Sequence, residues 1–222
     1  MRKEKNRASE YPLEDKDVKA LINATETTRN KVIIELLAFT ACRREELVLL
    51  RIKDINLDLE QINMPTVKQE PRSKGDKERS KAEKINTAYE YARRIPIINN
   101  DLKRDIKTLM AEMAATKNIT PTNRLIQSRQ SDSMTCTMIN IIVARVSDAA
   151  GITSPNPERK HVHPHMLRHT FVRYAQKMEV SPKIIQQMLG HSSINTTFDM
   201  YGKPTWEDRK DELKKMKEYG LS

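Results

Sequence analysis

"HPHMLRHTF" (residues 163–171) brings three histidines and one arginine together in a stretch that contains no acidic residue. Pro164 is tolerated in the first turn of a helix, so the stretch predicts a helix that begins there. Residues three and four positions apart share one face of a helix, and His165, Arg168 and His169 are therefore expected to point roughly the same way. Such a cluster is typical of a metal site, of a packed core or of a cage for a phosphate.

The arginine in this stretch separates the metal hypothesis from the phosphate hypothesis. A metal would want neutral imidazoles with a carboxylate or another ligand close by, and Arg168 would set a fixed cation beside it. His161, His163 and His165 alternate as on one side of a strand, but Pro164 makes a regular strand less favourable. Arginine's planar fork matches phosphate geometry, and histidine adds a donor or a proton acceptor. The stretch therefore favours a phosphate cage.

The composition of the whole chain favours an anionic partner. The 222 residues suffice for one ordinary domain, and the formal net charge of +10 is typical of nucleic-acid binding, although a lysine-rich solvated surface would give the same balance. Cys42 and Cys136 do not make a disulfide framework, so a reducing interior suits the chain. The longest apolar stretch, "VIIELLAF", is too short to span a bilayer and contains Glu35. We expect a soluble cytoplasmic protein with no membrane partner.

The periodicity of apolar residues predicts a mainly α fold with a small antiparallel β-sheet (α+β). The charged segment 68–91 lies between two predicted strands, and it is expected to be a mobile connection or hairpin arm rather than core. The strands are predicted at 60–67 and 92–98, and the helices at 13–24, 27–43, 44–57 (short, leading into a turn), 99–117, 131–151, 163–178, 181–191 and 205–220.

Three boxes in the chain resemble those of one known family. "HPHMLRHTF" resembles the second box of the tyrosine recombinases, the phage integrase family, whose pattern is H-x-L-R-H-T. "QQMLGHSSINTTFDMYGK" (186–203) resembles the closing stretch of that family, L-G-H-S followed by T-T-x-x-Y. "TACRREELVLLRIKDINLD" (40–58) resembles its first box, T-G-L-R-x-x-E-L. The order and the separations agree across most of the chain, from about Tyr11 to Gly202.

This resemblance implies a site-specific recombinase or integrase that acts on double-stranded DNA without a metal or other cofactor. Arg43 and Arg168 would clamp the non-bridging oxygens of the scissile phosphate, and His165 and His191 would complete the cage. Tyr201 would be the nucleophile and would form a phosphotyrosyl link at the DNA 3′ end. Cations suit this task because negative charge grows on the phosphate oxygens in the transition state. Tyrosine has a free pKa near 10 and needs a base, a role we assign to His165.

The resemblance also implies a lysine in the β-hairpin that protonates the departing 5′ oxygen. Lys74 lies in "SKGDKER", which resembles the usual G-K-G-x-K-x-R turn, and Gly75 beside it can take a positive φ. We therefore expect Lys74 to be this acid, with Lys68 as the alternative; the plainer explanation for any single lysine of the arm is a solvated phosphate contact. The arm is longer than the usual hairpin, and Ala41 and Cys42 stand where Gly and Leu are usual.

Typical members carry a helical DNA-clamping domain before the catalytic domain. Here residues 1–10 are expected to be a basic tail and residues 11–222 the catalytic domain, with no separate N-terminal core-binding domain. Three alternatives are open: a minimal recombinase, a fragment, or a clamp whose other half comes from a separate chain. The polar helix at 205–220 needs a partner, which a neighbouring protomer could supply. We expect a monomer in solution that assembles into a multimer on DNA.

Other interpretations remain open on the sequence alone. A type IB-like topoisomerase would use the same chemistry without strand exchange, a non-catalytic relic would only bind DNA, and a metal-dependent nuclease would use the histidine cluster. Single residues also have plainer explanations. Arg43 could pair with Glu45 or Glu46 on the surface, His169 could be a satisfied core histidine, and His191 could cap a helix end.

Overall fold

A computed structural model describes residues 11–67, 81–190 and 206–214 of the protein. Three strands, β1 (Ile55–Asn56), β2 (Gln61–Met64) and β3 (Arg93–Pro96), form one antiparallel sheet with β2 in the middle. Helices make up most of the remaining structure, so the predicted mainly α fold with a small antiparallel sheet is confirmed. The helices are α1 (Asp15–Asn23), α2 (Thr28–Thr40), α3 (Arg44–Leu49), α4 (Lys81–Glu90), α5 (Asn100–Thr116), α6 (Cys136–Ala149), α7 (Pro164–Lys177), α8 (Pro182–Leu189) and α9 (Trp206–Lys214).

The central helix of the core is α2. Residues 32–40 of this helix are all buried, and all of them except Glu35 and Thr40 are apolar, as expected for a helix surrounded by other elements. It packs against α1, α3, α5, α6 and α7. Thr27 caps its N-terminus by accepting a hydrogen bond from the Asn30 amide at 3.2 Å. The helix ends at Ala41, whose φ of 51° lies in the left-handed region.

Helix α7 begins at Pro164, as the sequence predicts, and His163 is its N-cap residue. Its buried face includes Met166, Leu167 and Phe171. The start of the described chain is fastened to this helix, because the Leu13 amide donates to the Thr170 hydroxyl at 2.9 Å. The histidine stretch therefore begins a helix that is anchored deep in the core.

The predicted strands are present but shorter than expected, and β1 was missed by the sequence prediction. Ile62 on β2 is paired with Ile55 on β1 and Ile95 on β3, and both Ile62 and Ile95 are fully buried. The predicted short helix at 44–57 ends at Leu49, after which a 3-10 turn at Ile52–Asp54 leads into β1.

The expectation that segment 68–91 is wholly a connecting arm is wrong for its second half. Residues 81–90 form α4, in which Ala88 is buried and its carbonyl accepts from the Thr66 amide at 2.8 Å. The Tyr89 hydroxyl donates to the Leu49 carbonyl. The charged residues of this segment are good helix formers, and this preference was hidden by the density of charge. Residues 68–80, which include Lys68 and Lys74, lie outside the described residues.

The polar helix α9 finds its partner within the chain. Leu213 is buried, and the helix contacts β3. Glu212 accepts a hydrogen bond from the Ser181 amide at 3.0 Å, and Arg209 donates to the side chain of Gln187 at 3.1 Å, so α9 is also tied to the N-terminus and the body of α8. None of the helices in the described part of the chain is long and apolar enough to cross a membrane.

Candidate active site

The tight turn at the C-terminal end of α2 positions Arg43. The left-handed conformation of Ala41 turns the chain, and Arg43 becomes the N-cap residue of α3. A left-handed φ favours glycine, which explains why glycine is usual here in the pattern that this box resembles. The neighbouring Cys42 is buried, and burial raises the pKa of its thiol to about 12, so it packs as a small apolar group.

Arg168 extends from α7 toward the same point. Its side chain is almost fully buried; Nη1 donates to the Ala41 carbonyl and Nη2 donates to the Leu189 carbonyl at 2.7 Å. Arg43 Nη1 donates to the same Leu189 oxygen at 3.3 Å. The two predicted clamp residues are therefore brought together at the C-terminus of α8, where the carbonyl groups carry partial negative charge. Burial, followed by the nearby Arg43, lowers the pKa of Arg168 to about 9, which leaves it charged at neutral pH.

His165 lies one helical turn before His169, and their rings meet edge to face with centroids 4.3 Å apart. His165 is open to solvent, but the surrounding protein removes part of its hydration, and this desolvation lowers its pKa to about 4, with further contributions from His169 and Arg168. Its ring is therefore neutral at pH 7 and can accept a proton. His169 is half-buried beneath it, in keeping with the structural role considered above.

A cavity of about 680 Å³ opens over these residues, and its charged lining is mostly basic. Glu45 is the acidic residue of this lining, and it is paired with Arg44 at 2.8 Å. The cationic surface would attract an anion into the cavity. The side chains of this lining that carry or can carry positive charge are Arg43, Arg44, Arg159, Lys160, His161, His163, His165 and Arg168.

The histidines before α7 do not share one side of a strand. His161 pairs with Asp148, with 3.0 Å between Nδ1 and the carboxylate oxygen. His163 occupies the N-cap position of α7 without a side-chain capping bond, and burial together with Arg159 lowers its pKa to about 4. Within residues 11–67, 81–190 and 206–214, no three metal-ligating side chains come together.

Two buried residues at this site were missed as functional candidates. Glu46 was considered only as a surface partner of Arg43, yet it is fully buried, and it binds the Arg43 amide at 2.9 Å and Nη1 at 3.0 Å. Arg93 on β3 approaches the other oxygen of Glu46 at 2.7 Å. The spacing of three residues between Arg43 and Glu46 indicates their contact, but it does not show that Glu46 is buried. No local sequence pattern predicts that Arg93 belongs to the site, because its partners are distant in the sequence.

The remaining predicted site residues, Lys74, His191 and Tyr201, lie outside the described residues. Gly190 is the described residue that precedes His191 in the sequence, and it ends α8 with a φ of 62°. Gly190 directly follows Leu189, whose carbonyl holds both arginines.

Comparisons with known proteins point to one family. The model of the phage integrase family matches residues 12–207. Tyrosine recombinase XerC of Staphylococcus epidermidis (strain RP62A) is 29% identical over 170 residues, which are 76% of this chain and 47% of XerC. The chain therefore spans about half the length of this curated relative.

Solved structures show the same fold. The crystal structure of XerA recombinase has a TM-score of 0.61 at 24% identity. The match covers 90% of this chain and 62% of the XerA chain. XerH site-specific recombinase, bound to its difH substrate in a pre-cleavage complex, has a TM-score of 0.59 at 21% identity, with 85% of this chain and 49% of its own covered.

Proposed function

Since this chain belongs to the phage integrase family, we propose that it is a site-specific DNA recombinase or integrase that cleaves and rejoins DNA through a 3′-phosphotyrosyl intermediate. The observation that carries the proposal is the convergence of Arg43 and Arg168 on one backbone oxygen beside a basic cavity. Two guanidinium groups held in this way are preorganised for the non-bridging oxygens of a phosphodiester. The proposal assigns residues 11–222 to the catalytic domain and residues 1–10 to a basic tail.

The proposed first step is an attack on the scissile phosphorus. The Tyr201 oxygen bonds to phosphorus while its proton passes to His165, and the bond from phosphorus to the 5′ oxygen breaks as Lys74 gives that oxygen a proton. The neutral ring of His165 suits this role, because a protonated ring has no free site for the proton.

The charge that grows on the phosphate is stabilised by Arg43 and Arg168, and we assign His191 to the same cage. The energy of the broken bond is kept in the ester with Tyr201, so a second strand's 5′ hydroxyl can reverse the step and reseal the DNA. The reaction needs neither a metal ion nor a nucleotide, because the protein supplies the cations and the bond energy is conserved.

The proposed partner is double-stranded DNA, in keeping with the net charge of +10 and with the DNA-bound XerH neighbour. The protein is proposed to work with its DNA in the cytoplasm, as a monomer in solution that assembles into a multimer on its site. Binding is expected to weaken steeply with salt, because contacts to phosphates release counterions.

The test of the proposal is covalent capture. The protein is incubated with fragments of DNA from the source genome that carry random nicks, the protein–DNA adducts are isolated, and the attached DNA ends are sequenced. We expect adducts at one recurrent sequence, with the protein linked to the 3′ end through tyrosine. Tyr201→Phe removes the nucleophilic oxygen and should abolish the adduct while DNA binding persists; an adduct with the Phe variant would refute the assignment.

A companion assay uses supercoiled plasmids that carry the captured sequence. Recombinant plasmids are the expected product. Relaxed plasmid without recombinants would point instead to the topoisomerase alternative.

A further inference from the structure

Arg93 joins three parts of the site with one side chain. Its Nε donates to the Met188 carbonyl at 2.7 Å, its Nη1 to the Thr66 hydroxyl at 2.9 Å and its Nη2 to Glu46 at 2.7 Å. These acceptors lie near the end of α8, just after β2 and on α3 respectively. Only 11% of the Arg93 side chain is exposed. Three charge-assisted hydrogen bonds in a nearly buried place fix the guanidinium firmly.

Glu46 is shared between Arg93 and Arg43. One carboxylate oxygen accepts from Arg43 Nη1 at 3.0 Å, while the other accepts from Arg93 Nη2 at 2.7 Å. Burial by itself would raise the pKa of Glu46, but the charges of Arg93 and Arg43 outweigh it and hold the pKa below its usual range. Glu46 is therefore a buried anion that needs both cations.

This sharing determines where Arg43 points. A lone carboxylate binds one arginine through two parallel hydrogen bonds. Arg93 occupies the second oxygen of Glu46, so Arg43 gives Nη1 both to Glu46 and to the Leu189 carbonyl at 3.3 Å. Without Arg93, this second oxygen would keep only the Arg43 amide at 2.9 Å, and its uncompensated charge would draw the Arg43 guanidinium toward itself and away from the position of the phosphate.

Arg93 also fixes the segment that leads to His191. A Cβ atom at Gly190 would lie 3.0 Å from Thr66 Cγ2 and 3.1 Å from Arg93 Nη1. The bend at Gly190 is thus packed directly on the side chains that Arg93 holds together, and the Leu189 carbonyl beside it receives both clamp arginines.

We propose that Arg93 is a positioning residue for DNA cleavage: it holds Glu46 so that Arg43 stays directed at the scissile phosphate. The inference rests on the proposed recombinase function. Arg93 is not among the described residues that line the basic cavity, so it acts through Arg43 and not on the phosphate itself.

The test compares two substrates that differ only at the scissile phosphate. In one, a methyl group replaces a non-bridging oxygen, which removes the negative charge that the Arg43 clamp neutralises. A variant that has lost the clamp should be slow on ordinary DNA and close to wild type on the methylphosphonate. Single-turnover rates of adduct formation are measured on both, using the sequence found by covalent capture, and DNA affinity is measured alongside.

For Arg93→Met we expect a loss on the order of 10²-fold on ordinary DNA, the size of effect that misplacing a catalytic group can have. On the methylphosphonate the loss should shrink to within about threefold of wild type, as for Arg43→Met, since both lack the same charge neutralisation. Arg93→Lys keeps a cation beside Glu46, which protects the fold, and should show a smaller loss that the methylphosphonate also relieves.

Arg124→Met is the matched control. Arg124 is half-buried, and its guanidinium donates to the Leu49 carbonyl and, at 3.0 Å, to the Tyr89 hydroxyl, not to Glu46. Any slowing by this variant should be equal on the two substrates. An equal loss on both substrates for the Arg93 variants, or no loss at all, would overturn the positioning role. Failure of the wild-type protein to form an adduct on either substrate would instead overturn the proposed function.

Discussion

Arg43 and Arg168 donate to one and the same backbone oxygen, that of Leu189, over distances of 3.3 and 2.7 Å. Two like charges thus share one partial negative charge at a helix end, beside the separate contacts of Arg43 with Glu46 and of Arg168 with the Ala41 carbonyl. Arg168 is the more buried of the two, and its pKa is lowered by burial and then by the charge of Arg43. A bound anion would relieve this repulsion, so the free protein is expected to have measurable affinity for inorganic anions.

The first prediction concerns sulfate. Sulfate should raise the melting temperature of the wild-type protein, because a ligand that binds only the folded state stabilises it, by about 2.7 kcal/mol at a concentration of 100 times its Kd. Arg43→Met should lose most of this gain. Arg104→Met, which removes an exposed arginine on α5, should keep it. Sodium chloride at equal ionic strength serves as the salt control, and an equal sulfate effect in all three proteins would contradict specific binding.

The second prediction concerns metal ions. DNA cleavage should persist in excess EDTA, because Arg43 and Arg168 supply the positive charge that a metal would otherwise bring. Adduct formation is measured with and without the chelator, and with zinc or magnesium added back. Cleavage that disappears in EDTA and returns with either metal would support the metal-dependent nuclease hypothesis instead.

The third prediction compares two glycines that both have positive φ. Gly190 has a φ of 62° and close neighbours, whereas Gly151 has a φ of 67° and nothing within 4 Å of an added Cβ. Alanine at either place bears the left-handed strain of about 1 kcal/mol, but at Gly190 it must also displace Thr66 or Arg93. We expect Gly190→Ala to lower the free energy of unfolding, measured in urea, by about 1–3 kcal/mol more than Gly151→Ala does. Equal losses in the two variants would show that the bend tolerates a side chain.

The parts of the site that could be predicted from the sequence are those with a local pattern. Helix α7 follows from Pro164 and from apolar residues at helical spacing, and that helix places His165 and Arg168 on neighbouring turns. The first box, residues 40–58, predicts the role of Arg43, and the structure adds that Arg43 and Arg168 meet at the end of α8.

What could not be predicted depends on contacts between distant parts of the chain. Arg93 binds Glu46, 47 residues away, and the carbonyl of Met188, 95 residues away, and neither contact leaves a periodic signal. Helix α4 was missed for a related reason: Ala88 is buried and its carbonyl accepts from the distant Thr66 amide, while its own segment is dominated by charge. Tertiary packing, and not local preference, fixed both features.

The last prediction concerns a carboxyl group in the core. Glu35 lies on the buried helix α2 with only 1% of its surface exposed, and one of its oxygens has no hydrogen-bond partner. Burial raises its pKa to about 8, and the nearby Asp105 adds to this while Lys31 opposes it. Asp105 is itself paired with Lys31 at 2.7 Å, so that lysine is already engaged. Glu35 is therefore uncharged in the folded protein at neutral pH.

A raised carboxyl pKa makes stability fall as pH rises. Below about pH 4.5, Glu35 is protonated in both the folded and the unfolded chain, so its ionisation does not change the free energy of unfolding. Between about pH 4.5 and 8, the unfolded chain ionises while the folded protein does not, which favours unfolding by up to about 1.4 kcal/mol per pH unit. Glu35→Gln keeps a neutral group of the same shape and escapes this loss. Relative to the wild type, the free energy of unfolding of the variant should increase by on the order of 1–3 kcal/mol between pH 5 and 8. This corresponds to several degrees in melting temperature. Glu26→Gln, at an exposed position, should follow the wild type at every pH. A stability difference for Glu35→Gln that stays constant from pH 5 to 8 would mean that Glu35 is ionised in the folded protein.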